Sequence, residues 1–594
     1  MTFNVLGISG LPTAWDFKAK QWPELDKREY RIVQGQDAAA SLVMDGEIIA
    51  AAAEERFNGK KHTSDFPVAA IQYCLDEAGL KLGDIDEISH CFDYRPYRTL
   101  LSLNEISARR YEQVYAPEVI KKHFQENFEG LSPDTRFTNI EHHLAHAASA
   151  YHTSGWDTCL TIVSDGMGEL DATSIWQAKN GKLEKLHSIT AKNSIGIFYS
   201  IFTLHLGFEF NNDEYKVMGL APYGDPERYR SFFDEAVQFR ENGSLHIPLL
   251  HLNKTAEELE TYSRSRQYIA KNLIAPRVPG GHLSQDHKDV AAALQECLNR
   301  TMSSICEHFS KLTGMTRLAM AGGVALNCSA NRKLRESEIL RSVYIQPAAG
   351  DDGASLGAAL ASASQHVKIP KTRMPSAYLG PKSEKNTVEA LLAGRTADVD
   401  YRAFQSFDEQ CQVAARLISE GSIIAWHRGR MEFGPRALGN RSILADPSRP
   451  DMQDRINALI KKRESFRPFA PAVTLDQAHK WFNIEEGTEL PYMLFTVQVR
   501  DEHQMELPAI THVDGSARIQ TVSADSNRDF YLLLKKVGEL TGREIVLNTS
   551  FNIQGQPIVN TAKEAVATLI TSGIDALFLE SCMVTLKSPA SNLE

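Results

Sequence analysis

Apolar and polar positions fall into two similar runs in the first third of the chain. The run "NVLGIS" (4–9) reads as a strand, and after a polar insertion "DAAASLVMDGEIIAAAAEERF" reads as two more strands joined by Asp45-Gly46. Later, "CLTIVSDGMGELDATSIWQAKNGKLEKLHSI" (159–189) repeats the plan with Asn180-Gly181 at the joint. Asp-Gly and Asn-Gly favour tight hairpins because both residues tolerate positive φ. Amphipathic patterns over 66–80 and 286–313 predict helices between these strands. A duplicated lobe of this kind fits an actin-like α/β architecture with a cleft between its copies, and two unrelated hairpins in one α/β protein are the competing reading.

Composition bounds the rest. A chain of 594 residues is too long for one core, and 43% hydrophobic residues suffice for two to four domains. The net charge of −11 disfavours binding to nucleic acid through phosphate neutralisation. The eight cysteines form no CxxC pair, "MTFNVLGISG" lacks the form of a signal peptide, and no segment approaches the roughly 18 apolar residues of a membrane helix. A reduced cytoplasmic protein with no membrane and no nucleic-acid partner is expected.

Candidate chemistry gathers at glycine-rich turns. "LAMAGGVALNCSANRKL" ends a strand in Gly322-Gly323 and starts a helix near Asn327, where backbone N–H groups could meet a phosphate. "QPAAGDDGASLGAALA" repeats the form with Asp351 and Asp352. A polar, irregular stretch over 366–402 reads as an interdomain join. Beyond it, residues 428–467 hold ten Lys or Arg against five Asp or Glu, reversing the charge of the whole chain. Arg436, Arg441 and Arg467 sit among Gly, Pro and apolar residues, surroundings suited to clamping an anion, whereas Arg449 and Arg455 read as solvated charge.

"IEHHLAHAASAYH" carries four of nineteen histidines. His142 and His146, at i and i+4, share a helix face and can reach one metal ion. His143 stands where a zinc-protease helix needs glutamate, which removes that reading. Two imidazoles need carboxylate partners, and Asp165 and Asp351, both on glycine-rich turns, are the candidates. A mixed set with an open position suits ferrous iron or a similar transition metal better than a closed structural zinc site. His143 and His152 read as packing residues.

Taken in order, "EERFNGKKH", "HHLAHAASAY", "SDGMGE", "EYKVMGLAPYG", "GGVALN", "GDDGASLGAA", "EFGPRALGNRSILADP", "RESFRPFAP" and "LNTSFNIQGQPIV" resemble the O-carbamoyltransferases of the nodulation protein U and cephalosporin carbamoyltransferase family, which includes tobramycin carbamoyltransferase. The resemblance implies an actin-like domain over 1–370, similar to the tRNA threonylcarbamoyl transferase, and an α+β, YrdC-like domain over 371–594. It further implies that the second domain makes carbamoyl adenylate from carbamoyl phosphate and ATP with Mg²⁺, and that the first passes the carbamoyl group to a hydroxyl of a small molecule beside Fe²⁺. On that resemblance His142, His146, Asp165 and Asp351 hold the iron, and Gly322, Gly323, Asn327, Glu214 and Lys216 contact the nucleotide. Lys61 is assigned to substrate, while Arg436, Lys461, Arg467, Arg518 and Ser550 bind carbamoyl phosphate and ATP, with surface charge competing most strongly at Lys461. Gln36 replaces the histidine expected to accept the acceptor's proton; Gln has no basic nitrogen, so Asp37 is preferred over Asp16 as the substitute. Two further classes, a tRNA-modifying carbamoyl-type transferase and an actin-like kinase, predict an extended basic surface and an unused C-terminal half, respectively.

Overall fold

The computed structural model describes residues 2–371, 373–374, 376–394, 398–464 and 466–587. Its chain divides into one unit of Met1–Asn58 with His62–Met374 and another of Gly59–Lys61 with Pro375–Glu594.

In the first unit the two apolar runs become two five-stranded sheets of one design. β1 (Asn4–Ser9), β2 (Ala39–Met44), β3 (Glu47–Ala53), β4 (Glu87–His90) and β5 (Arg136–Asn139) lie in the order β3-β2-β1-β4-β5. β6 (Thr158–Ser164), β7 (Asp171–Lys179), β8 (Lys182–Thr190), β9 (Arg317–Ala321) and β10 (Ser342–Ile345) lie in the order β10-β9-β6-β7-β8. Each sheet has three antiparallel strands followed by two parallel ones. The first unit is therefore the duplicated actin-like α/β fold. Both hairpin joints adopt the positive φ that their sequences favour: Asp45 48° and Gly46 86°, Asn180 52° and Gly181 81°.

Helices α1 (Val68–Ala78), α2 (His142–Ser154), α3 (Gln285–Thr313) and α4 (Asp351–Ala363) pack on these sheets. α4 lies on β1 and β2 of the first sheet, and α2 on β6 and β9 of the second. The two helices also pack on each other, and small residues make this approach possible. A Cβ on Gly357 of α4 would fall 1.7 Å from the Ala145 carbonyl oxygen of α2, and one on Gly7 of β1 would fall 2.0 Å from that of Ser355. Neither obstacle is a side chain that can swing away. Gly357→Ala is therefore expected to lower stability by at least about 3 kcal/mol, read as a shift in the urea midpoint.

The second unit is α+β. β11 (Val399–Ala403), β12 (Ile424–His427), β13 (Arg441–Ala445), β14 (Ala470–Thr474), β17 (Gln520–Val522), β18 (Ile545–Ser550), β19 (Ala576–Leu579) and β20 (Cys582–Leu586) form one sheet, ordered β11-β20-β19-β12-β13-β18-β14-β17. A separate pair joins β15 (Thr496–Gln498) to β16 (Ser516–Arg518). Helices α5 (Phe407–Ser419) and α6 (Arg528–Thr541) bury Ile418, Phe530, Leu533 and Val537 with Trp426 and Phe578 of the sheet.

Part of the stretch 366–402 takes regular structure. It holds a helix, Lys385–Ala393, that buries Val388 and Leu392, and the start of β11. Two apolar residues at i,i+4 anchor that helix, a signal too short to stand out among the surrounding charges. Among the described residues no helix is long and apolar enough to cross a membrane, and all eight cysteines are free and buried.

Candidate metal centre and anion site

The first residue of α2 is His142, so His142 and His146 occupy its opening turns on one face, and Asp351 begins α4. Asp165 follows β6 in the turn to β7. Here the two lobes meet: one donor atom from each of these four residues lies within 4.8 Å of the others. His142 Nε2 is 3.2 Å from His146 Nε2, 3.5 Å from Asp165 Oδ2 and 3.4 Å from Asp351 Oδ1. His146 Nε2 is also 3.4 Å from Asp351 Oδ1. Metal bonds of about 2.1 Å place neighbouring ligand atoms roughly 3.0–3.4 Å apart, so the spacing fits one divalent ion.

The surroundings orient the donors. His142 Nδ1 is 3.2 Å from the Cys91 carbonyl, which can only accept, so that nitrogen carries the proton and Nε2 faces the cluster. Phe92 stacks on the same ring at 4.2 Å and 8°. The Gly323 N–H donates to Asp165 Oδ1 at 2.9 Å. Burial disfavours an imidazolium at His142, yet Asp351 and Asp165 raise its pKa well above 6.5. Burial likewise opposes ionisation of the two aspartates, yet the histidines facing them pull both below the ordinary carboxylate value. Two completely buried imidazoles facing two carboxylates call for a cation or extra protons between them, and the N₂O₂ donor set fits a transition metal.

Glu169 anchors this helix end from a distance. Its carboxylate accepts the N–H of His142 at 3.0 Å and that of Asp93 at 2.6 Å, in place of a local N-cap. Glu169→Ala is expected to cost about 3 kcal/mol and to weaken metal binding about 10-fold, measured by denaturation and by metal analysis after dialysis. His143 points elsewhere, with Nδ1 2.8 Å from Ser174 Oγ. Burial lowers both its pKa and that of His152, the latter to about 4.

The residues assigned to nucleotide in this unit have framework partners. The Gly322 N–H donates to the Ala349 carbonyl at 2.8 Å, and its φ of 93° brings it against the Ser164 backbone. Asn327 caps the helix Cys328–Arg335 through the Ala330 N–H and exchanges amide hydrogen bonds with Gln295. Glu214 accepts from Ser200 Oγ at 2.5 Å and from the Asn211 N–H at 2.9 Å, and burial raises its pKa. Lys216 pairs with Asp213 at 3.0 Å.

Asp37, chosen as the substitute base, lies against His62: Oδ1 is 2.7 Å from His62 Nδ1. Gln36 is buried, and its amide donates to the Arg31 and Val33 carbonyls. His62 had a signal in the motif "EERFNGKKH", whose last residue it is, but periodicity gives no means of pairing it with Asp37.

In the second unit Lys461 is buried, and surface charge is the wrong account of it. It closes a π-helical turn, Asn457–Lys461, and its ammonium donates to the Ser550 carbonyl at 2.5 Å and to Asn552 Oδ1 at 2.7 Å. Burial, with Arg463, Arg467 and Lys61 nearby, pushes its pKa well below 10.5. Lys461, Arg467, Ser550 and Lys61 thus gather at one place in this unit. Arg436 lies in the loop between β12 and β13, and Arg518 ends β16 opposite Thr496. Arg441 proves to be structural. It is completely buried and donates to the carbonyls of Arg428, Asn440 and Pro381, so its guanidinium holds the main chain together instead of gripping an anion.

Comparison with known proteins follows this division. The family described as carbamoyltransferase N-terminus matches residues 33–360, and carbamoyltransferase C-terminus matches 415–586. Nodulation protein NolNO of Sinorhizobium fredii is 38% identical over 92% of this chain and 78% of its own. The 3′-hydroxymethylcephem-O-carbamoyltransferase of Streptomyces clavuligerus is 30% identical over 60% of this chain and 61% of its own. Nodulation protein U of Azorhizobium caulinodans is 29% identical over 88% and 91%, respectively. Among solved structures, HypF of T. kodakarensis overlaps 62% of this chain and 50% of its own at 12% identity and a TM-score of 0.33.

Proposed function

Because the chain belongs to the carbamoyltransferase family and is an O-carbamoyltransferase, we propose that it works by ATP-dependent activation in the C-terminal unit followed by transfer in the N-terminal unit. The observation that carries this reading is the pair of dissimilar sites: a mixed His and carboxylate centre in one unit and a cluster of cations about the buried Lys461 in the other.

In the activation step carbamoyl phosphate and ATP with Mg²⁺ yield carbamoyl adenylate, phosphate and pyrophosphate. Atom balance requires one water, because both phosphate and pyrophosphate leave. Lys461, Arg467, Arg436 and Arg518 bind the anionic groups and neutralise charge that would repel the attacking oxygen, while Ser550 supports the Lys461 ammonium. Lys61 joins this cluster.

In the transfer step a hydroxyl oxygen of a small-molecule acceptor bonds to the carbamoyl carbon, the bond to the adenylate breaks, and AMP leaves. His142, His146, Asp165 and Asp351 would hold ferrous iron, which when bound supplies Lewis-acid polarisation. Gly323 orients Asp165, Cys91 sets the tautomer of His142, and Glu214 and Lys216 border the nucleotide.

The test supplies the purified, iron-loaded protein with ATP and follows pyrophosphate with and without carbamoyl phosphate, then screens hydroxylated compounds for a product heavier by one carbamoyl group. Pyrophosphate release is expected to depend on carbamoyl phosphate. Release without it would sink the reading, and ADP as product would make the protein a kinase.

A further inference from the structure

The second unit buries two side-chain amides to which the activation step gives no part. Asn548 stands on β18 and Gln520 opens β17, with β14 between them in the sheet. Asn548 pairs with Ala470 of β14, and Gln520 with Ala472. Paired positions share a face of a sheet, so both amides rise on one side of β14, and the two alanines leave room for them to meet. Asn548 Nδ2 donates to Gln520 Oε1 at 3.0 Å.

The same two amides grip the loop before β13. Gln520 Nε2 donates to the Leu438 carbonyl at 2.7 Å, and Asn548 Nδ2 donates to the Ala437 carbonyl at 3.4 Å. A carbonyl can only accept, so each amide must turn its nitrogen towards the loop, which leaves Gln520 Oε1 to receive the second N–H of Asn548. Glu432 binds the loop to itself: its Oε1 accepts the N–H groups of Leu438 and Asn440 at 2.8 Å each and that of Arg441 at 3.2 Å. The Tyr378 hydroxyl donates to the Leu438 carbonyl at 2.8 Å.

Three of the residues assigned to carbamoyl phosphate and ATP adjoin this junction. Arg436 directly precedes Ala437, Arg518 lies two residues before Gln520, and Ser550 lies two beyond Asn548 on the same face of β18. Ser550 in turn meets the Lys461 ammonium, its Oγ at 3.3 Å. The amide pair therefore fastens the segment next to Arg436 to the strand that carries Ser550. Two desolvated amides cost more to bury than an apolar pair, and a satisfied polar network in a core fixes one arrangement of the segments it joins.

We propose that Gln520, locked to Asn548, is a positioning residue of the activation step and holds the Ala437-Leu438 segment so that Arg436 meets the phosphate groups of the substrates. The inference rests on the placing of Arg436 in that anion site. Gln520 acts through the backbone and touches no substrate.

The experiment measures binding of pyrophosphate with Mg²⁺ to the full-length protein by calorimetry, in wild type, Gln520→Met, Arg436→Ala and the double variant. Methionine keeps the length of the side chain and removes its hydrogen bonds, while the Leu438 carbonyl keeps Tyr378 and Asn548 keeps the Ala437 carbonyl, so the fold is expected to survive. The urea midpoint checks this. Each single change is expected to weaken binding at least about 10-fold, and the double variant should bind no more weakly than Arg436→Ala, because Gln520 works through that arginine. Additive losses, or a fall in stability with binding unchanged, make Gln520 a packing residue and overturn the inference. So does wild type that binds no pyrophosphate, or Arg436→Ala that binds it normally. Asn548→Ala cuts the same pair from the other strand and should give the same non-additive loss; failure of both Gln520→Met and Asn548→Ala to fold also overturns the inference. Wild type that binds pyrophosphate but forms none from carbamoyl phosphate and ATP counts against the proposed function alone, since binding needs no turnover.

Discussion

His146→Ala is expected to abolish carbamoyl transfer and release iron while carbamoyl-phosphate-dependent pyrophosphate formation continues. The imidazole lies entirely inside the protein with Nε2 3.2 Å from His142 Nε2 and 3.4 Å from Asp351 Oδ1. Removing it takes away one of four donors and leaves two carboxylates facing a single ring. Changes to groups that merely orient a metal ligand cost about 10–100-fold, so loss of a ligand itself should exceed about 100-fold in transfer. Metal analysis of the variant and of chelator-treated wild type should agree, because both empty the same centre. Parallel loss of pyrophosphate formation would show that the two steps share one site.

The opposite result is expected of Lys461→Met. Methionine keeps most of the side-chain volume and removes the charge, so the hydrogen bonds to Ser550 and Asn552 are lost without a large cavity. In wild type, burial beside Arg463, Arg467 and Lys61 disfavours the ammonium, and a bound phosphate would offset that cost. Pyrophosphate formation in the variant should fall about 100- to 1000-fold, the loss typical of one donor to a developing anion. A rise in thermal midpoint with carbamoyl phosphate, expected of wild type, should shrink in the variant. Full activation in Lys461→Met would remove this residue from the anion site.

These two residues differ in how far the sequence revealed them. His146 was legible from spacing, since i and i+4 share a face in any helix. Lys461 was not: it sits in a run of like charges, "KKRESFR", and its burial depends on a π-helical turn that directs it towards Ser550, 89 residues on. Arg441 shows the converse. Its Gly- and Pro-rich neighbourhood suits an anion clamp, but the same glycines and turns expose backbone carbonyls, and these take its guanidinium.

By itself the sequence determined the repeated plan of a strand followed by a hairpin, the two positive-φ hairpin joints, the shared face of His142 and His146 and the family, because each rests on short-range periodicity or on long motifs. Only the tertiary structure decided which distant groups meet. Asp351 reaches the histidines because small residues let α2 and α4 approach to backbone contact, and Asp165 meets them from the turn after β6. Asp37 meets His62 where the Ala38 N–H donates to the Thr63 carbonyl and joins the two segments, with positive φ at both positions. Such meetings depend on the packing of segments far apart in the chain, which no local pattern encodes.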